Sequence, residues 1–140
     1  MLFAASLVAM VIRSQYLVLA MLSVAVLSCE EPTRESDRAA LDTQRSQIFA
    51  FASSGQCTGN AQCAFIGLGS KPCGGPWDFI AYSSSLDTQR LFAMINEYNK
   101  NEDAYNRRWK IMSDCAMAPM PDSVGCLNGI CVKYRNGTPY

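Results

Sequence analysis

The chain has 140 residues, with 12 basic and 12 acidic side chains, seven cysteines and no histidine. That length suits one domain, and the charge balance offers no handle for nucleic acid. Without histidine the commonest general base, the commonest metal ligand and the usual physiological pH switch are missing together. So many cysteines in so short a chain point to an oxidising compartment.

The chain opens with an apolar stretch, and Tyr16–Ser28 (YLVLAMLSVAVLS) carries no charge and no helix breaker. As a helix it would be about 20 Å long, short of the ~20 apolar residues needed to span a bilayer and right for the core of a signal segment. Arg13 supplies the preceding positive charge. Residues 1–28 are therefore expected to be a removable export segment; the competing reading is a permanent anchor helix over Leu2–Leu27, broken at Arg13-Ser14-Gln15. Val26-Leu27-Ser28-Cys29 resembles the bacterial lipobox. That resemblance implies cleavage before Cys29, acylation of its thiol and new amine, and a membrane partner held through this lipid. Glu30 in place of aspartate favours the outer membrane. The cysteine count agrees: six cysteines lie beyond residue 55, and a lipid on Cys29 accounts for the seventh.

Glu30–Arg38 is charged and contains Pro32, so residues 29–38 read as a tether and 39–140 as the folded domain. Leu41, Ile48, Phe49 and Ala52 form a helical stripe that ends at Ser53-Ser54-Gly55, with a strand beginning at Ile48–Phe51 as the competing reading. Ala64–Leu68 reads as a strand, Gly69–Pro76 as loop, and Trp77–Tyr82 as a second strand with alternating faces. Ser85 or Asp87 caps the next helix. Its stripe is Leu91, Met94, Ile95, Tyr98, Tyr105, Trp109 and Met112, and Asn99-Lys100-Asn101 is the expected break. LDTQR occurs at 41–45 and again at 86–90, which suggests either a duplicated helix start or chance. Near the end, Asn128-Gly129 marks a two-residue hairpin that pairs Leu127 with Ile130 and Cys126 with Cys131. The expected fold is α+β: a small antiparallel sheet with one long helix and a shorter N-terminal helix, stabilised by disulfides.

Cys57, Cys63, Cys73, Cys115, Cys126 and Cys131 are expected to form three bridges. Their connectivity stays open among 15 possibilities, and a bridge across the hairpin from Cys126 to Cys131 is sterically available. No two cysteines have C-x-x-C spacing, so neither a zinc site nor thiol–disulfide catalysis has a motif, and no metal or cofactor is expected. Ser70-Lys71 are neighbours in a loop, unsuited to a Ser-Lys nucleophile. The aspartates are scattered without calcium-loop spacing; a carboxylate pair, Asp78 with Asp114, remains the one hydrolytic arrangement to consider. The other candidate is the loop Gly67–Trp77. Lys71, Pro72, Gly74, Gly75 and Trp77 would form a bridge-pinned recognition surface, against the simpler reading of a tight turn with Trp77 buried.

The pattern G-x-G-x-K-P-C-G-G-P at 67–76, Tyr82-Ser83, Met112-Ser113-x-Cys115 and C-x-x-G-x-C at 126–131 resembles a set of small secreted or lipid-anchored bacterial proteins without an assigned activity. It covers about residues 57–131, and it implies an extracytoplasmic domain with no catalytic residues to carry over. The leading expectation is a non-enzymatic envelope lipoprotein that acts as a binding or inhibitor module for a protein or envelope component. A structural or stress-protective envelope protein and a carboxylate hydrolase are the alternatives.

Overall fold

A computed structural model describes residues 31–140. Residues 1–28, expected to be an export segment, and Cys29, expected to carry lipid, lie outside the described residues. The chain divides between Pro32 and Thr33, and the domain is Thr33–Tyr140.

Helix α1 spans Arg34–Ser53, so residues expected to belong to the tether are already helical. The reason is local. Thr33 Oγ1 accepts from the Ser36 amide at 3.1 Å, and Ser36 Oγ accepts from the Thr33 amide at 2.9 Å. This reciprocal capping satisfies two backbone donors, and Glu35 and Asp37 in the first turn suit the positive end of the helix dipole. The helix end is also docked: Asp37 accepts from Trp109 Nε1 at 2.9 Å and pairs with Arg108 at 3.4 Å.

Strands β1 (Cys63–Leu68) and β2 (Asp78–Ser83) form an antiparallel pair with Ile66 opposite Ile80 and Leu68 opposite Asp78. One face of this pair brings Leu68 and Ile80 into the core with Leu41 and Ile48 of α1. The opposite face begins with Cys63. Helix α2 (Thr88–Trp109) completes the core with Leu91, Ile95, Tyr98 and Tyr105. Its cap is Asp87, whose Oδ1 accepts from the Arg90 amide at 3.0 Å. The expected break at 99–101 is absent, because tertiary partners outweigh the poor helix propensity of the two asparagines. Asn101 Nδ2 donates to Gln44 of α1 at 3.2 Å, and Asn99 holds a loop amide described below. The helix stops instead at Lys110, in the left-handed region with φ 50°. Met112 thus lies beyond the helical stripe and is 89% exposed. The two LDTQR segments are not equivalent: the first is inside α1, whereas the second straddles the start of α2.

A second, separate sheet is formed by β3 (Ser123–Leu127), β4 (Ile130–Arg135) and β5 (Thr138–Pro139), antiparallel in that order. Leu127 faces Ile130 and Cys126 faces Cys131, the register read from Asn128-Gly129. Both turn residues have positive φ, 51° and 82°, as the twist of a two-residue hairpin demands. A second Asn-Gly pair, Asn136-Gly137 with φ 51° and 74°, turns β4 into β5. The fold is α+β with three disulfides, as expected. Cys126 and Cys131 do not bond to each other; each reaches away from the hairpin, to Cys57 and Cys63 respectively, and Cys73 joins Cys115. The cross-strand pair thereby staples its hairpin to β1 and the segment before it. Lys133 adds an ion pair with Asp78 at 3.1 Å and a hydrogen bond to the Phe79 carbonyl at 2.8 Å. Among the described residues no helix is long and apolar enough to cross a membrane.

Candidate functional site

The Gly69–Trp77 loop connects β1 to β2, and it is held from behind by one face of α2. Asn99, Glu102 and Asn106 are spaced by three and four residues, so their side chains rise from the same side of the helix. Asn99 Oδ1 accepts from the Gly69 amide at 2.7 Å, and Glu102 Oε2 accepts from the Ser70 amide at 2.7 Å. Asn106 Nδ2 donates to the Ser70 carbonyl at 2.6 Å. Two consecutive loop residues are thus tied to the helix by side chains.

The close approach depends on Gly69. Its φ is 96°, and a Cβ there would stand 2.8 Å from both Glu102 Oε2 and Trp77 Cδ1. Glu102 is 4% exposed, a carboxylate inside the fold. Its second oxygen accepts from the Tyr98 hydroxyl at 3.0 Å. Burial raises the Tyr98 phenol above its ordinary pKa, and the charge and hydrogen bond of Glu102 push it the same way.

Lys71 is not displayed as the sequence suggested. It is 9% exposed and runs beneath the loop, with its ammonium 4.9 Å from the centre of the Trp77 ring. There it pairs with Asp114 at 3.3 Å and donates to the Ala116 carbonyl. Asp114 is held below its usual range by the Ala116 amide first and the Lys71 ammonium next. The lysine therefore fastens the loop to the irregular segment that follows α2. Cys73–Cys115 fastens the same two segments again, nearer the tip. Pro72, Gly74 and Gly75 remain exposed at that tip, and Trp77 is neither fully buried nor fully exposed.

A groove of about 680 Å³ lies between the loop and residues 115–120, lined by Pro76, Phe79, Gly74, Met117 and Met120, among others. Met117 is 91% and Met120 59% exposed. Trp77 lines a different groove, of about 740 Å³, with Arg34, Arg38, Glu102, Asn106 and Ile111.

Of the residues that could do chemistry, Asp78 and Asp114 have different partners. Lys133 and Arg45, the latter at 3.6 Å, surround Asp78, while Asp114 has Lys71. The sulfurs of Cys57, Cys63 and Cys131 lie within 4.8 Å of one another because two disulfides are neighbours; bonded sulfur is not the thiolate that a metal needs. The sequence reading missed Asn99, Glu102 and Asn106. For Glu102 a signal existed: it falls four residues after Tyr98 and three before Tyr105, within the buried stripe. Comparison with family profiles, curated proteins and solved structures finds no match to the chain.

Proposed function

We propose that this is a non-enzymatic envelope protein, exported and anchored by lipid on Cys29, that binds a protein or other envelope component. Its binding face is the tip of the 67–77 loop together with the methionine-bearing segment 112–120. One observation carries the reading: the loop is fastened from behind by three helix side chains and a lysine, while its tip and its methionine neighbours face solvent. A loop already ordered loses little conformational freedom on binding, and methionine adapts its shape to an apolar partner. Asp78 and Asp114 are each occupied by cations, which supports binding over hydrolysis.

Crosslinking from the intact envelope tests this when wild type is compared with a Met117→Asp/Met120→Asp variant. The reading expects a partner captured by wild type, lost in the variant, with unchanged melting. Equal capture by both proteins would move the site elsewhere. The intact mass of membrane-extracted protein tests the anchor: a chain starting at Cys29 with acyl mass is expected, and an unmodified terminus removes the lipid from the account.

A further inference from the structure

The three disulfides sit in unlike surroundings. Cys57 is 5% and Cys131 8% exposed, and their partners Cys126 and Cys63 are partly buried within the strand scaffold. Cys73 and Cys115 are both exposed, and each belongs to an irregular segment rather than a strand. Cys115 also has φ 55°, the left-handed region that a residue with a Cβ rarely adopts. The polar surroundings of the two sulfurs differ as well, because the Ser113 hydroxyl donates to Cys73 Sγ at 3.4 Å.

We infer that Cys73–Cys115 is a site of reversible thiol–disulfide exchange with an external dithiol, attacked at Cys115 and leaving from Cys73. The incoming thiolate forms a bond to Cys115 Sγ as the Cys73–Cys115 bond breaks. The electron pair departs on Cys73, where the Ser113 hydroxyl stabilises the nascent thiolate until it is protonated. The second thiol of the reagent then attacks the mixed disulfide, Cys115 leaves as a thiolate and takes up a proton, and the reagent is released as its own disulfide. The net change is one bridge reduced to two thiols and one dithiol oxidised. Opening the bridge leaves Lys71 as the tie between the loop and residues 114–116, so the methionine-lined groove widens. The other two bridges are shielded, and the strands they hold remain in place.

The test is graded reduction of the full-length protein by dithiothreitol, followed by alkylation and peptide mass mapping. Cys73 and Cys115 are expected to label together, at ~10-fold less reductant than the four cysteines of the other two bridges. Simultaneous opening of all three bridges, or earlier opening of either of the others, overturns the proposal. Direction is read with glutathione, a monothiol that traps the mixed disulfide: the adduct belongs on Cys115. Ser113→Ala should slow the exchange about 3-fold, the effect of one unit in leaving-group pKa when the rate follows it with half sensitivity. An adduct on Cys73, or a Ser113→Ala variant that exchanges at the wild-type rate, refutes the assigned direction.

Discussion

Replacing Glu102 with glutamine changes one oxygen to an amino group and nothing in shape. In the native protein its two oxygens receive two donors, the Ser70 amide at 2.7 Å and the Tyr98 hydroxyl at 3.0 Å. Glutamine has only one carbonyl oxygen. Whichever way it turns, one donor meets an NH₂ group and a buried charge-assisted hydrogen bond is lost. Such a bond contributes about 1.5–3 kcal/mol, and the neutral amide returns part of that because it costs less to bury than a carboxylate. A net loss of about 2 kcal/mol is expected, or roughly 8 °C in melting temperature for a domain of this size.

A second readout separates this cause from simple damage. The absorbance difference between wild type and Tyr98→Phe isolates the Tyr98 phenol during alkaline titration. Its pKa is raised from 10.0 mainly by burial and then by Glu102, so in Glu102→Gln it should fall yet stay above the ordinary value. Because the folded value is the higher one, the associated stability is complete below pH 10.0 and is lost as pH rises through the folded pKa. A Glu102→Gln protein that melts with wild type and titrates Tyr98 unchanged would refute the view that this carboxylate anchors the loop.

Gly69→Ala places a methyl group 2.8 Å from Glu102 Oε2 at a φ of 96°, and a cost above about 2 kcal/mol in a denaturation curve is expected. Loss of the Cys57–Cys126 bridge, made as a double serine variant, opens only the short closure that runs through the intact Cys63–Cys131 bridge; chain entropy puts the cost at about 3 kcal/mol, measured in urea with no reductant. Removing Cys63–Cys131 as well should expose the amides of residues 123–135 to hydrogen exchange while those of α2 stay protected. The Asp114 pKa lies below its ordinary 3.8, so its contribution is complete above that pH and is lost as pH falls through the folded value. Protection of the Ala116 amide should fall in the same acid range, and Asp114→Asn should lack that pH dependence.

Much of the scaffold was legible because its signals are local. Asn128-Gly129 gave both a turn and a register, since only residues tolerant of positive φ fit a hairpin with that twist. The same rule applied to Asn136-Gly137 gives β5, which the sequence reading did not extract. Asp87 and the stripe beginning at Leu91 announced α2. Where the reading failed, distant partners decided. Asn99 and Asn101 look like a break until Gly69 and Gln44 are seen to occupy their side chains. Lys71 looked like a displayed charge, yet its fate depends on Asp114 and Ala116, more than forty residues away. Thr33 was different, a local cap concealed by the charged composition around it. For the candidate site, the loop was visible as a cluster of glycine and proline, whereas the helix face that orders it was not.

The positions of the bridges follow from where the core is. Its buried residues come from α1, β1, β2 and α2, and the partly buried side chains packed on it end at Ile111; among the described residues β3–β5 adds none. A three-stranded sheet with so little apolar anchorage would separate readily from the remainder of the domain. Two disulfides, the Lys133 contacts with β2 and the Asn60 acceptor at 2.9 Å from the Cys126 amide attach it instead. Those bridges substitute for a hydrophobic face. The Gly69–Trp77 loop stands in the opposite position, because Asn99, Glu102, Asn106 and Lys71 already hold it to the core side. Its bridge is therefore the one whose opening the fold can tolerate, and it is also the exposed one. Structural necessity and chemical accessibility are thus divided between different cysteines.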